Sequence, residues 1–91
     1  MAWTIRFDAR AVKDLSRLDR SIQRKILGYL ETRVAVADNP GSLGKSLSGD
    51  LSGLWRYRVE NHRVICRIVR DEILIVVLAV GHRKDVYDRP L

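Results

Sequence analysis

The chain begins with a short alternation of apolar and polar residues. From Trp3 to Phe7 every second residue is apolar, which predicts a strand with one face toward a core. Asp8 follows as a candidate N-cap, and the next residues predict a helix from about 9 to 18. Its predicted inward residues are Val12, Leu15 and Leu18. Its predicted outward residues are Arg10, Lys13, Asp14 and Arg17.

A second helix is predicted to follow, with Asp19 or Ser21 as its cap. Its apolar stripe comprises Ile22, Ile26, Leu30 and Val34, widened by Leu27 and Ala37. The helix should end near Asp38, because Pro40 disfavours helical dihedral angles in the residue before it. Residues 39–53 are rich in glycine and serine, which predicts a loop. Three evenly spaced leucines are expected to hold this loop against the core, namely Leu43, Leu47 and Leu51.

The last third of the chain predicts three consecutive strands, over 54–59, 63–69 and 73–80. The reversals between them are short, so the strands should be antiparallel neighbours. The third is apolar on both faces, which predicts the central strand. The expected fold is a single α+β domain over 1–91. In it, two N-terminal helices pack on a small, largely antiparallel four-stranded sheet in the order β-α-α-β-β-β.

Strand alternation separates these residues into two faces. The inward positions are predicted to be Trp55, Tyr57, Val59, Val64, Cys66 and Ile68. The open face then receives Arg56, Arg58, Arg63 and Arg67. Three of these, Arg56, Arg58 and Arg63, are expected to line one concave patch. Arg83 and Tyr87, just past the last strand, could reach the end of that patch.

Guanidinium groups in this number indicate a phosphate-rich ligand, because they are planar, permanently charged and matched in shape to phosphate. The chain has 17 Lys and Arg against 11 Asp and Glu, a net charge of +6. This balance favours RNA, DNA or an acidic protein as partner. The plainer alternative is a solvated face with some arginines paired to Glu60, Asp71 or Glu72. The helix cations have the same two interpretations, a solvated surface or an RNA-binding one; they are Arg10, Lys13, Arg17, Arg24 and Lys25.

Other chemistries have weaker support in the sequence. Cys66, the single cysteine, excludes an internal disulfide and is expected to be a small buried apolar residue. No cofactor is expected, and no metal site, because the two histidines and the cysteine lack ligand spacing. Imidazole titrates near neutral pH, which makes His82 a candidate for proton transfer. The longest apolar run, 73–80, is too short to span a bilayer, so a cytoplasmic protein is expected.

Three stretches of these residues resemble the RelE toxins of type II toxin-antitoxin pairs, within the RelE/ParE superfamily. They are Leu54–Val59, His62–Ile65 and Val80–Tyr87. The last, Val-Gly-His-Arg-Lys-Asp-Val-Tyr, is the most specific of the three. The similarity covers nearly the whole chain and includes the predicted order of helices and strands.

The resemblance implies a ribosome-dependent, metal-independent endoribonuclease that cuts mRNA in the ribosomal A site through attack by the ribose 2′-hydroxyl. By position, Arg56 and Arg63 would stabilise the phosphate, Arg83 would also help the leaving oxygen, and Tyr87 would orient or stack on the substrate. Arg58 stands where a well-studied member has a lysine assigned as general base. Arginine stays protonated and is a poor base. Either Arg58 only stabilises charge, or His82 takes the proton, or ribosomal RNA contributes.

The same resemblance implies a cognate antitoxin as partner, with contact to operator DNA only through that antitoxin, and no membrane. Three alternatives stay open. One is a ParE-like inhibitor of DNA gyrase, which would share the fold without needing the arginine set. Another is a non-catalytic basic module that binds RNA or protein. The third is an inactive toxin, an alternative suggested by the arginine at position 58.

Overall fold

The centre of the molecule is a five-stranded mixed sheet. The computed structural model describes residues 2–82. Its strands are β1 (Thr4–Phe7), β2 (Lys45–Ser46), β3 (Trp55–Val59), β4 (His62–Val69) and β5 (Leu74–His82). The lateral order is β1-β5-β4-β3-β2. Strand β1 runs parallel to β5, and the other neighbouring pairs are antiparallel.

The predicted small, largely antiparallel sheet is confirmed, with one strand more than expected. The additional strand β2 has only two residues, both exposed. It therefore lacks the apolar alternation from which a strand can be predicted. Strand β5 lies between β1 and β4, which agrees with its two-sided apolar pattern. It is not the central strand, however, because the pairing of β2 with β3 leaves β4 in the middle.

Two helices, α1 (Ala9–Ser16) and α2 (Arg20–Tyr29), cover one side of the sheet. The predicted stripe of α2 is confirmed, since Ile26, Leu30 and Val34 are fully buried. The helical backbone continues as a π-turn over Leu30–Val34 and ends shortly before the predicted position. The carbonyl of Ala35 then accepts a hydrogen bond of 2.7 Å from the N–H of Trp3. This bond joins the end of the helical layer to the start of β1. Within residues 2–82 neither helix is both long and apolar enough to cross a membrane.

Helix α1 turns a different face to the sheet from the one predicted. Asp8 caps it as expected, with Oδ2 accepting a hydrogen bond of 3.2 Å from the N–H of Arg10. Leu15 and Leu18 pack against the core as predicted. The prediction for Val12 is wrong, because its side chain is 54% exposed and Ala11 takes the buried position.

The predicted outward position of Asp14 is also wrong. Its side chain is only 6% exposed. The burial is tolerated because its Oδ2 accepts a hydrogen bond of 2.9 Å from the backbone N–H of Val80 in β5. A carboxylate paired in this way fastens α1 to the last strand of the sheet.

A bulge in β5 adjusts the two faces of the sheet. Ile65 lies opposite Ala79, whereas the next residue, Cys66, lies opposite Val77. Leu78 is therefore the extra residue of β5. Cys66 is fully buried among the core residues, as predicted, and burial raises the pKa of its thiol. Such a thiol behaves as an unreactive apolar group.

The side of the sheet away from the helices has a small apolar cluster of its own. Ile65 and Ala79 are fully buried there, and Leu47 and Leu54 pack against them. The segment from 39 to 54 therefore covers part of this side through Leu47 and Leu54. The prediction that leucines hold the loop is confirmed for Leu47 and is wrong for Leu43, which is exposed.

The aromatic residues of β3 anchor the same segment. Tyr57 is fully buried, and its hydroxyl donates a hydrogen bond of 2.7 Å to the carbonyl of Pro40. Trp55, predicted to lie under the helices, is half-buried against the turn at Gly41 instead. A Cβ added at Gly41 would lie 3.0 Å from the Trp55 ring, so a larger residue would require the ring to shift by a few tenths of an ångström.

Candidate functional site: a cationic sheet face

The side of the sheet away from the helices carries a row of cations along its strands. Directly paired residues of neighbouring strands point to the same side. Arg58 lies opposite Arg63, and Arg56 lies opposite both Ile65 and Lys45. Beyond the bulge, Val76 lies opposite Arg67 on one side and Arg6 on the other. We call this surface the cationic face; it consists of Arg6, Lys45, Arg56, Arg58, Arg63 and Arg67.

The pair of Arg58 and Arg63 is the most unusual feature of this face. Like charges placed directly opposite each other destabilise a sheet. The Nε of Arg58 donates a long hydrogen bond of 3.4 Å to the carbonyl of Glu60. The Nη1 of Arg63 is buried and has no hydrogen-bond partner among residues 2–82. A buried guanidinium N–H without an acceptor is costly, so this position is suited to bind an anion.

Lys45 is a cation of this face that sequence reasoning missed. It lies in a segment of glycines and serines, and only the pairing of β2 with β3 brings it opposite Arg56. The pairing depends on Gly44, where an added Cβ would lie 2.7 Å from the carbonyl oxygen of Arg56 and 2.9 Å from the Tyr57 ring. In the sequence, the only signal for this close approach of β2 to β3 is the glycine that directly precedes Lys45 in the predicted loop.

His82 is not brought to the cationic face. Gly81 lies opposite Arg63, so by alternation the next residue points to the helix side, where His82 lies opposite His62. The two imidazole rings meet edge to face with their centres 5.1 Å apart. Burial lowers the pKa of His62, the charge of His82 lowers it further, and Glu60 opposes both. This arrangement does not support the prediction that His82 transfers a proton at the arginines.

The cations of the helices form a separate surface. They belong to the layer that packs on the other side of the sheet, and they are Arg10, Lys13, Arg17, Arg24 and Lys25. Lys25 is engaged, since its Nζ lies 2.7 Å from Oε1 of Glu60, with both side chains exposed. The carbonyl of the same Glu60 accepts the hydrogen bond from Arg58, so Lys25 lies near the edge of the cationic face. The predicted role of the five helix cations in RNA binding stays a prediction.

The proposed roles of Arg83 and Tyr87 stay predictions as well, because both residues lie outside the described residues 2–82. The structure thus brings together Arg56, Arg58 and Arg63 of the predicted catalytic set. Phosphate is the ligand to which this set of guanidinium groups is matched in charge and shape.

Comparison with known proteins gives a consistent result. Residues 5–87 match the family described as "ParE toxin of type II toxin-antitoxin system, parDE". The toxin RelG of Mycobacterium tuberculosis is 32% identical over 98% of this chain and all of its own length. The toxin-antitoxin complex RelBE2 of the same organism contains a chain with a TM-score of 0.83 and 28% identity, and the match covers 93% of this chain and 95% of that one.

A mutant of the E. coli toxin RelE in the free state shares the fold, with a TM-score of 0.76 and 20% identity over 97% of this chain and 93% of its own. The predicted resemblance is thereby confirmed, and so is the α+β fold of two helices on a sheet. The family match and the relative at 32% identity both extend over nearly the whole sequence. The chain belongs to the RelE/ParE family of toxins from type II toxin-antitoxin systems.

Proposed function

We propose that this toxin is an endoribonuclease that cleaves mRNA in the ribosomal A site without a metal ion. The observation that carries the proposal is the direct opposition of Arg58 and Arg63, with Nη1 of Arg63 buried and without a partner among residues 2–82. A sheet keeps such a pair at a cost in stability, and a phosphate between the two guanidinium groups would offset that cost. Donors held in position before the substrate arrives need no reorganisation during the reaction.

In the proposed reaction the ribose 2′-hydroxyl attacks the adjacent phosphorus. The phosphorus gains a bond to that oxygen and loses its bond to the 5′-oxygen. The departing 5′-oxygen takes up a proton from water, which leaves a cyclic phosphate and a 5′-hydroxyl. Negative charge grows on the phosphate oxygens in the transition state, where Arg56, Arg58 and Arg63 stabilise it. Arg58 acts through its charge and not as a base, because guanidinium stays protonated in proteins. The proton from the 2′-hydroxyl then goes to a group outside the cationic face, for which ribosomal RNA is our candidate.

The proposed partners are mRNA, the ribosome and a cognate antitoxin. The ribosome as partner implies the cytoplasm. The similar chain of M. tuberculosis was solved in a complex of toxin and antitoxin, which supports an antitoxin for this chain also. A net charge of +6 favours an antitoxin segment with acidic residues. We propose contact with operator DNA only through the antitoxin.

The test is primer extension on a translated mRNA, with and without ribosomes, for the wild type and two variants. Arg63→Met removes a cation of the proposed site and keeps most of the side-chain volume. Arg33→Met removes an exposed cation of the π-turn and is the matched control. We expect cuts within codons only when ribosomes are present. They should be unchanged in the control and about 10²- to 10³-fold weaker in Arg63→Met, the usual loss for one charge-stabilising donor.

Intact mRNA in every lane would overturn the proposal. Equal cleavage by Arg63→Met and the wild type would remove Arg63 from the mechanism. Cleavage of free RNA at the same rate without ribosomes would exclude dependence on the ribosome.

A second candidate function has its own observation. The matching family model is named for ParE toxins, and ParE-like members inhibit DNA gyrase. Gyrase supercoiling with the purified toxin tests this directly. Inhibition that persists in Arg63→Met, together with intact mRNA, would favour gyrase as the target.

A further inference from the structure

A second pair of arginines lies on the cationic face, away from Arg58 and Arg63. Arg6 of β1 and Arg67 of β4 are both paired with Val76 of β5, one from each side. Their Cα atoms are thus two strand spacings apart, about 9–10 Å. Both side chains are exposed, and both point to the same side of the sheet. Two arginine side chains are long enough to converge above the half-buried Val76 between them.

The surroundings of this pair fit an anion with apolar parts. A shallow groove beside it is lined by Thr4, Arg6, Glu72 and Leu74. Thr4 offers a hydroxyl that can donate to an anionic oxygen. Glu72 is the acid of the groove, yet no ion pair joins it to Arg6 among residues 2–82. Within the described residues no ion pair engages Arg67 either, so this part of the chain leaves both guanidinium groups available to an external ligand.

This second pair cannot share a phosphate with the first. Arg67 follows Arg63 by four residues along β4, which corresponds to about 13–14 Å in a strand. A ligand that reaches both pairs must therefore carry at least two phosphates. A single-stranded RNA that runs from the first pair to the second meets this requirement. It would pass over Leu47 and Leu54, which cover Ile65 between the two pairs, and Val76 and Leu74 would give its bases apolar contacts.

We propose that Arg6 and Arg67 form a second phosphate-binding subsite, which holds a flanking phosphate of the RNA strand whose scissile phosphate lies at Arg58 and Arg63. This subsite rests on the proposed function, because it presumes an RNA strand at the first pair. It predicts that affinity depends on substrate length, and that both arginines act on one and the same phosphate.

The experiment is fluorescence anisotropy with 2′-O-methyl oligonucleotides, which bind but lack the attacking hydroxyl. One probe is a dinucleotide with a single phosphodiester, and the other is a hexanucleotide. Arg6→Gln and Arg67→Gln should each weaken hexanucleotide binding by about threefold to tenfold, the range for one charge-assisted contact. Neither should change dinucleotide binding. Arg33→Gln, with the same loss of charge on the helical side, should change neither.

Salt dependence sharpens the result. The slope of log affinity against log salt should fall by about 0.7 in the double variant, the value for one phosphate of a single strand. It should fall by less than that in each single variant, because the remaining arginine still neutralises the same phosphate. A drop of twice that size in the double variant would show two independent contacts and overturn the shared subsite.

The failure of this inference is distinguishable from failure of the proposed function. Hexanucleotide binding that is unaffected by Arg6→Gln and Arg67→Gln, but lost in Arg63→Met, would overturn the subsite alone. If Arg6→Gln, Arg67→Gln and Arg63→Met all bind the hexanucleotide as the wild type does, RNA binding by the cationic face is overturned, and the subsite with it. If Arg33→Gln weakens hexanucleotide binding equally, the loss of affinity is explained by net charge alone, and the subsite is also overturned.

Discussion

The helix side of the sheet and the cationic face are built on the same strands but accommodate buried polar groups differently. The helix side pairs such groups except at the start of β4, where the buried Nδ1 of His62 has no hydrogen-bond partner among residues 2–82. On the helix side, the Tyr57 hydroxyl is bonded to Pro40 and the Asp14 carboxylate to the N–H of Val80. On the other side, Arg58 faces Arg63, and a buried nitrogen of Arg63 has no partner among residues 2–82. The first side has the properties of a core that stabilises the fold. The second has those of a surface completed by a ligand.

The largest expected effect comes from truncating the helix side. Leu30→Ala should lower the free energy of unfolding by about 2–5 kcal/mol, because Leu30 is fully buried and the cavity would be only partly refilled. Urea denaturation followed by circular dichroism measures this change. Val12→Ala is the control, expected to change stability by less than about 0.5 kcal/mol, since Val12 is 54% exposed. A large loss of stability in Val12→Ala would contradict the exposed position of Val12 and would support the inward orientation predicted from the sequence.

A second test concerns the segment that connects the two sides. Gly44→Ala should destabilise by about 1–3 kcal/mol, because the new Cβ would lie 2.7 Å from the backbone oxygen of Arg56, and the backbone must shift. Gly28→Ala is the matched control in α2, with no atom within 4 Å of the added Cβ. It should stabilise by about 0.5–1 kcal/mol. Thermal melts of both variants measure whether each substitution raises or lowers the melting temperature. A change in the same direction in both variants would contradict the close approach of β2 to β3.

Tyr57→Phe tests how the helix side satisfies its polar groups. Removing the hydroxyl leaves the Pro40 carbonyl without its bond, which should cost about 1–2 kcal/mol at neutral pH. Burial raises the pKa of Tyr57, so above the ordinary tyrosine value of about 10 the unfolded chain loses this proton before the folded chain does. Stability should therefore fall as pH rises above that value. The fall should be shallower in Tyr57→Phe, measured by urea denaturation across alkaline pH. An identical slope in both proteins would show that Tyr57 does not cause the decline.

Much of this comparison follows from the sequence, because strand alternation depends on neighbouring residues alone. The opposite faces of Tyr57 and Arg58 were predictable for that reason. Asp14 was not, since a charged residue on a short helix is normally exposed, and its acceptable burial depends on a backbone N–H that lies far along the chain. Lys45 and Arg6 join the cationic face through pairings with β3 and β5. Such long-range pairings leave no local pattern to read.

The smallest expected effect has the opposite sign from the others and tests the cationic face itself. Arg63→Met should raise the free energy of unfolding by about 0.2–1 kcal/mol, because it removes a like charge directly opposite Arg58. It also removes a buried N–H that has no acceptor among residues 2–82. The gain should shrink as salt is added, since salt screens the repulsion at a partly exposed site. Arg33→Met should show no comparable gain in urea denaturation.

A stabilised Arg63→Met that has lost cleavage would show that this arginine is kept for its ligand and not for the fold. A destabilised variant would mean that Arg63 contributes to folding through its packing. The buried nitrogen would then be a consequence of that packing, and the contrast between the two sides of the sheet would disappear at this position.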